Sequence, residues 1–224
     1  MRRNFIILFL IAFSLKAQQY NFIRYDVKDG VALSQISKLE NFSDGRLIIS
    51  TYGGGINIYD GQKFHLLNNS HGLINNNIYG LVKQNDTLIY FGTEKGLSVF
   101  DGSKFKNYSR NEGLPSNLIW SMTLGKDNVL WIGTDNGLAK YENGKIEKVD
   151  NELVSNIDIW SLFSDSKGDL WIGSIDELIS FDFKTKEFVK RKEFLKFKTI
   201  HSFSEDKNGV IWAGSDYGLY KIQN

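Results

Sequence analysis

The sequence predicts an all-β protein built from five repeated units. One pattern of apolar, aromatic and glycine residues recurs about every 40 residues along the chain. The segments inside each unit are short, rich in β-branched and aromatic residues, and separated by Asp, Asn and Gly, which is typical of strands and turns. Aromatic residues make up 14% of the chain and cysteine is absent, so a hydrophobic core must stabilise the fold without disulfides.

The first residues have the pattern of an export signal. Arg2 and Arg3 precede an apolar run of eleven residues, Phe5 to Leu15, and the small residue Ala17 follows. This is typical of a secretory signal peptide, and the run is shorter than the roughly 20 apolar residues that span a membrane. We therefore expect residues 1–17 to be cleaved near Ala17 and the protein to be periplasmic or secreted, without a membrane span.

Removal of this segment changes the sign of the net charge. The full chain has a formal net charge of +1, and three basic residues leave with the signal, so 24 basic and 26 acidic residues remain, a net charge of −2. Nucleic-acid binding needs a basic surface, so we expect no nucleic-acid partner. Residues 18–224 are then expected to form a single domain, of a length common among β-barrels and related all-β folds.

Three landmarks keep the same phase through the units. The first is a residue in the middle of an "LWIG"-type strand, at successive spacings of 42, 41, 40 and 41 residues: Ile48, Tyr90, Trp131, Trp171 and Trp212. The second lies eleven residues earlier in each unit: Ser37, Tyr79, Trp120, Trp160 and His201. The third lies six or seven residues after the first: Gly55, Gly96, Gly137, Glu177 and Gly218. The predicted repeats are 36–77, 78–118, 119–157, 158–198 and 199–224.

The content of the unit selects the architecture. A period near 40 residues indicates a solenoid or a propeller, and these segments lack the spacing of amphipathic helices. "YDGQ" at Tyr59–Gln62, "FDGS" at Phe100–Ser103 and "ENGK" at Glu142–Lys145 predict hairpins with type I′ turns. Four short antiparallel strands per unit are typical of a propeller blade. The sequence therefore predicts a five-bladed β-propeller, in which the glycine after each "LWI" strand leaves room where strands converge.

The two ends of the chain predict how the ring closes. The fifth unit has three strands, the last being "GLYKI". The segment "YNFIRYDV" and the following "KDGVALSQ" resemble "KFKNYSRNEGLPSN" at Lys104–Asn117, which is the fourth strand and exit loop of a unit. We therefore predict that residues 20–27 supply the fourth strand of the last blade, which would pair an otherwise open strand edge.

The repeat itself resembles a known family. "LWIGTDNGLAKY", followed by an "NG" turn and preceded by "IWSM", is similar to the two-component regulator propeller repeat. The resemblance covers residues 20–224 and is strongest in the third and fourth units. It implies a periplasmic recognition domain of hybrid histidine-kinase systems from Bacteroidetes-type bacteria, often associated with glycan sensing. Relatives carry longer arrays, a β-sandwich, a transmembrane helix and kinase modules, so a truncated sensor fragment is an alternative interpretation.

The second landmark supplies the candidate ligand-binding residues. Tyr79, Trp120, Trp160 and His201 share one repeat position early in the innermost strand, where they could form an aromatic ring at the channel mouth. The alternative interpretation is packing between blades. The basic loop "KRKEFLKFK" at Lys190–Lys198 is the largest local departure from the repeat, and its alternative is a solvated edge strand.

The sequence gives little support for catalysis. A propeller glycosidase would need two carboxylates in the funnel, and Asp158 is the one acid near the entrance of the first strands. The three histidines lack the spacing of a metal site, and the Asp-rich runs at 164–169 and 204–209 suit turns better than calcium loops. We predict a monomeric, non-catalytic recognition module without a metal or cofactor, whose partner is a small molecule, an oligosaccharide or a protein. The alternative is a carbohydrate-active hydrolase or lyase.

Overall fold

The computed structural model describes residues 22–33, 35–191 and 199–222. These residues form five consecutive antiparallel sheets, here called blades 1 to 5. Blade 1 contains β1 (Ile36–Asn41), β2 (Leu47–Thr51), β3 (Ile56–Tyr59) and β4 (Phe64–Leu67), and blade 2 contains β5 (Ile78–Lys83), β6 (Ile89–Thr93), β7 (Gly96–Phe100) and β8 (Phe105–Tyr108). Blade 3 contains β9 (Ile119–Leu124), β10 (Leu130–Thr134), β11 (Gly137–Glu142) and β12 (Lys145–Lys148), and blade 4 contains β13 (Ile159–Ser164), β14 (Leu170–Ser174), β15 (Leu178–Asp182) and β16 (Glu187–Lys190). Blade 5 contains β17 (Ile200–Glu205), β18 (Ile211–Ser215) and β19 (Gly218–Ile222).

Within each blade, each strand pairs with the next along the chain, as the repeat predicts. The predicted hairpins are confirmed, but their turns differ from one another. The backbone φ is positive at both Asn143 and Gly144, as a type I′ turn requires. In the "DG" hairpins only the glycine has a positive φ, and the Asp side chain accepts hydrogen bonds from the backbone instead: Asp60 Oδ1 lies 2.8 Å from the amide nitrogens of both Gln62 and Lys63. The prediction of type I′ turns at the "DG" sequences was therefore wrong, because the residue after the glycine, Gln62 or Ser103, lacks the positive φ that this turn requires.

The core lies between the blades. The innermost strands contact one another in the order β1, β5, β9, β13 and β17. Four buried hydrophobic clusters fill the four spaces between consecutive blades. Both faces of the middle strands are covered, and every residue of β6, β10 and β14 is buried. This explains why the "LWIG" strand is apolar throughout instead of alternating.

A glycine after the landmark strand permits this close packing. A Cβ atom on Gly133 would lie 2.5 Å from Cγ2 of Ile159, at the start of the innermost strand of blade 4. Gly92 and Gly173 meet Ile119 and Ile200 of the following blades in the same way. The sequence prediction that these glycines leave room is confirmed, and the atoms that need the room belong to the next blade.

The predicted closure of blade 5 is not confirmed. Phe22–Asp26 form no strand, since their backbone pairs with none of the strands of the described residues, and Val27–Asp29 form a 3-10 turn. The sheet of blade 5 is three-stranded over the residues that the structure describes. The predicted signal peptide at 1–17, residues 20 and 21, and most of the predicted basic loop at 192–198 lie outside the described residues. Within the described parts of the chain, no helix is long and apolar enough to cross a membrane.

Candidate functional site at the channel mouth

Every innermost strand begins with a β-bulge. In blade 3, Ile119 pairs with Thr134 and Ser121 pairs with Gly133, so Trp120 is the extra residue. The same irregularity makes an extra residue of each second landmark: Ser37, Tyr79, Trp160 and His201. A bulge breaks the alternation of side chains and redirects the extra one. As a result, the preceding isoleucine stays in the core of blades 2 to 5 while the bulge residue is available to the channel.

The bulge residues converge on one cavity. A cavity of about 540 Å³ at the channel mouth is lined by Gln35, Ser37, Lys38, Tyr52, Tyr79, Trp120, Trp160 and His201. A second cavity of about 350 Å³ lies along the innermost strands and shares Lys38, Tyr79, Trp120, Trp160 and His201 with the first. The structure therefore brings together all four residues that the sequence selects, and the volume is that of a small-molecule pocket.

Four aromatic rings form a continuous row along one side of the mouth. Trp120 and Trp160 stack with their ring centroids 4.6 Å apart and their planes 14° apart. Tyr79 meets Trp120 edge-on at 5.1 Å, and Tyr52 meets Tyr79 at 5.4 Å. Offset stacking and edge contacts of this kind stabilise the arrangement of the rings. Packing between blades, the alternative interpretation, and exposure to the cavity therefore both apply to these side chains.

Polar groups border the aromatic row. Nε2 of His201 lies 2.7 Å from Oδ1 of Asp216, and Nδ2 of Asn77 donates to Oε2 of Glu94 at 2.6 Å. Burial raises the pKa of the Tyr79 hydroxyl, and the charge of Glu94 raises it further. This phenol therefore stays protonated at neutral pH and can donate a hydrogen bond.

Two indole groups of the site have no hydrogen-bond acceptor among the described residues. Nε1 of Trp120 and Nε1 of Trp160 are both buried and unpaired there. Burying an N–H group without a partner destabilises a protein by about 1–3 kcal/mol. The stacked pair is therefore held by ring contacts.

Carboxylates are sparse around the two cavities. Among the described residues that line the two cavities, Glu40 is the one acidic residue. Asp216 lines neither cavity and pairs with the imidazole of His201. Asp158, the acid that the sequence places nearest the entrance, lines neither cavity. In residues 22–33, 35–191 and 199–222, no group of three His, Cys, Asp or Glu side chains could hold a metal ion.

Apart from Ser37, which is the second landmark of the first unit but was not chosen as a candidate, the sequence missed three residues that line the mouth. Tyr52 lies in the loop between β2 and β3, and Gln35 and Lys38 flank the bulge of blade 1. Their equivalents in the other units differ in type, so no repeated pattern marks them. The extra residue that places Gly55 seven positions after Ile48, instead of six, is a sequence feature that points to this altered loop.

The repeats match a known model. Three stretches, residues 113–136, 152–176 and 195–217, match the two component regulator propeller. Over these three stretches, the chain is similar to that family. The matched stretches cover the junctions between successive blades, including the bulge positions of blades 3, 4 and 5. No curated protein of known function matches the chain.

Solved structures share the fold. The extracellular domain of the one component system BT4673 from B. thetaiotaomicron is 26% identical, with a TM-score of 0.56 over 87% of this chain and 32% of that one. The extracellular domain of the hybrid two component system BT3049 from the same organism is 22% identical, with a TM-score of 0.72 over 87% of this chain and 27% of that one. Virginiamycin B lyase from Staphylococcus aureus is 17% identical, with a TM-score of 0.64 over 84% of this chain and 67% of that one. The propeller architecture is therefore shown, and the chain spans about a third of the length of the extracellular domains that it matches.

Proposed function

We propose that this chain is an exported recognition domain that binds a ligand at the channel mouth and does not transform it. The single observation that supports this most strongly is the convergence of the bulge residues on one cavity of about 540 Å³. Repeated bulges that turn aromatic side chains into a channel are more than packing between blades requires. The resemblance to extracellular domains of signalling systems favours a sensing role and a periplasmic or secreted location.

A ring-shaped ligand fits the chemistry of the mouth. Flat indole and phenol faces stack on rings with apolar C–H faces, while Tyr79, His201 and Lys38 offer hydrogen-bond donors. Saccharides combine these two properties, and the family resemblance points to the same class. We therefore propose a glycan-derived oligosaccharide as the ligand, with a protein partner as the alternative if no sugar binds.

Binding can be measured directly by titration calorimetry of residues 18–224 against a panel of oligosaccharides. We expect one sugar class to bind, and we expect Trp120→Ala and Trp160→Ala each to weaken its affinity at least tenfold. Loss of a stacking platform has this size of effect at the centre of an interface. Failure of every sugar to bind would remove the glycan proposal, and undiminished binding by both variants would remove this cavity as the site.

A matched pair of histidine variants distinguishes an effect at the channel mouth from the effect of removing any exposed histidine. His201 and His65 are both exposed and each pairs with an aspartate, at 2.7 Å and 2.8 Å. His201 lines the mouth, whereas His65 lies on the outermost strand of blade 1. We expect His201→Ala to weaken sugar binding and His65→Ala to leave it unchanged.

An enzyme on the same scaffold is the second candidate. The hydrogen bond between His201 and Asp216 would orient an imidazole as a general base, and Glu40 lies in the inner cavity. Incubation with the sugars that bind, followed by chromatography of the products, tests this. Cleavage that is lost in His201→Ala would favour the hydrolase or lyase over the recognition module.

A further inference from the structure

The lining of the mouth cavity divides into an aromatic part and a polar part. The aromatic part is the row of four rings described above, which blades 1 to 4 supply. Blade 5 adds His201 to the polar part, and blade 1 adds the rest of it: Gln35, Ser37 and Lys38. A ligand in this cavity can therefore stack on the rings while its polar groups bind side chains of blades 1 and 5.

Lys38 is a departure from the repeat at a channel position. Cross-strand pairing identifies its equivalents in blades 2 to 5, which all have small side chains or none: Gly80, Ser121, Ser161 and Ser202. Serine at this position can bind the next blade, since Oγ of Ser161 donates to the carbonyl oxygen of Ile200 at 2.7 Å. The side chain of Lys38 makes no such bond with a described residue, and it lines both cavities instead.

A second departure in blade 1 holds the backbone of Lys38. Ser50 on β2 occupies the position that glycine holds in the other four blades, and it is fully buried. Its Oγ atom accepts a hydrogen bond from Oγ of Ser37 at 3.0 Å and donates one to the carbonyl oxygen of Lys38 at 3.3 Å. Because Ser37 is the bulge residue of this strand, these bonds stabilise the backbone at two consecutive residues of the mouth lining.

The positive charge of Lys38 is not neutralised within the described parts of the chain. Its ammonium group forms no hydrogen bond or ion pair with any residue there. The described residues that line the mouth cavity include no carboxylate, and Glu40, on the same face of β1, lines only the inner cavity. Glu94 and Asp216 border the mouth, but they line neither cavity and each pairs with another side chain. The charge of Lys38 is therefore available to a ligand in the mouth.

We propose that the mouth selects acidic saccharides, with the ammonium group of Lys38 pairing with an anionic group on a sugar whose ring stacks on the aromatic row. This inference rests on the proposed function and specifies the class of saccharide. A hydrogen bond between an ammonium group and an anion is charge-assisted and roughly twice as strong as one between neutral groups. The carboxylate of a uronic acid projects from the edge of its ring, so the face of the ring can stack while the edge reaches a donor. A sulfate ester on a neutral sugar offers the same charge.

Matched saccharides test this selectivity by titration calorimetry with the purified protein. Each set contains a uronate trisaccharide and the neutral trisaccharide of the same configuration and linkage: galacturonate with galactose, glucuronate with glucose, and mannuronate with mannose. A third member of each set is the neutral trisaccharide with a sulfate ester, which distinguishes the two kinds of anionic group. We expect an acidic member to bind about tenfold more tightly than its neutral counterpart or better. This preference should shrink as the salt concentration rises, because ions screen the charges.

Variants of two lysines assign the preference to this cavity. Lys38→Ala should lower the ratio of acidic to neutral affinity about tenfold, and Lys38→Arg should preserve it because arginine keeps the charge. The matched control is Lys148→Ala, since Lys148 is exposed on the outermost strand of blade 3 and lines neither cavity. We expect this control to leave the ratio unchanged. Circular dichroism verifies that each variant is folded.

The outcomes separate this inference from the proposed function. Equal affinities for the acidic and neutral members of every set would overturn the inference while the recognition of saccharides stands. A preference that survives Lys38→Ala, or that falls equally in Lys148→Ala, would also overturn it. If none of the saccharides binds, both the inference and the proposed glycan ligand are overturned.

Discussion

A single aspartate determines whether the indole N–H group of a tryptophan on the middle strand has a hydrogen-bond acceptor. Oδ2 of Asp165 accepts a hydrogen bond from Nε1 of Trp171 at 2.9 Å, and its Oδ1 accepts from the backbone of the turn that follows, including Gly168 N at 2.9 Å. In blade 3 the equivalent position is Gly125, and Nε1 of Trp131 has no acceptor among the described residues. One carboxylate therefore both holds the turn and pairs with the indole.

We predict that Asp165→Ala destabilises the protein more than Asp206→Ala. The first substitution leaves the indole of Trp171, which is 3% exposed, without a partner, at a cost of about 1–3 kcal/mol. The indole of Trp212 is only partly buried, so water can replace Asp206, whose contact is longer at 3.3 Å. Urea unfolding of both variants gives the comparison. Equal losses would mean that the turn, and not the indole, accounts for the effect.

The candidate site was predictable at the scale of residues only in part. The common repeat position of Tyr79, Trp120, Trp160 and His201 predicts that they lie together, and the cavity confirms this. The bulge that turns them towards the channel was not predictable, because a bulge depends on which backbone groups pair across two strands. Tyr52 was missed because it lies outside the repeated pattern.

At the scale of the elements, periodicity predicted the strands well and the connecting turns poorly. Each predicted four-strand unit from blade 1 to blade 4 is present, because the hydrophobic pattern decides which residues face a neighbouring blade. The 3-10 turns after β4 and β8 were not predicted, although an N-cap residue four positions before a glycine marks both. These turns depend on hydrogen bonds from capping side chains, and the spacing of apolar residues carries no information about them.

Hydrogen bonds across blade boundaries join the turns of neighbouring sheets. Asp86, in the turn after β5, accepts from Nζ of Lys83 at 2.8 Å and from the backbone amide of Ser43 in blade 1, 3.1 Å from its Oδ2. The hydrogen bond from Lys83, and then that from Ser43, lowers the pKa of Asp86 from 3.8 to about 2. The native state therefore favours the charged carboxylate.

We predict that the hydrogen bonds of Asp86 stop stabilising the folded chain in acid. Because the pKa of Asp86 is lower in the folded chain, its stabilisation is complete above about pH 4 and disappears as the pH falls towards 2. Asp86→Asn should therefore lower the free energy of unfolding at pH 7, and the gap from the wild type should narrow between pH 4 and pH 2. Urea titrations at several pH values provide the measurement, and a gap that stays constant with pH would contradict this assignment.

At the scale of the whole molecule, the sequence predicted the number of blades but not the angle between them. The spacing of 40 to 42 residues shows only that the units are alike. The angle between two sheets depends on how their facing side chains interlock, for example Ile159 against Gly133. For this reason the blades could be counted from the sequence, whereas the predicted closure of a ring is not confirmed.

The interfaces also determine whether the array unfolds as one body. A Cβ on Gly133 would lie 2.5 Å from Cγ2 of Ile159 and 2.6 Å from Oγ of Ser121, at the interface between blades 3 and 4. Overpacking of this kind costs about 1–3 kcal/mol. In a repeat protein each unit contacts only its neighbours. One weakened interface can therefore either let the blades on its two sides unfold separately or lower the stability of all the blades together. Since each of the four interfaces holds its own buried cluster, we expect the second result.

Gly133→Ala should therefore lower the urea midpoint without changing the slope of the transition, and circular dichroism and tryptophan fluorescence should give the same midpoint. The double variant Gly133→Ala/Ile159→Ala removes the clashing Cγ2 atom, so its loss of stability should be smaller than the sum of the two single losses. Additive losses would show that the alanine is accommodated without contact with Ile159. Two separate transitions in Gly133→Ala would show that blades 1 to 3 and blades 4 and 5 unfold independently, which is the behaviour expected of an open array and not of a closed ring.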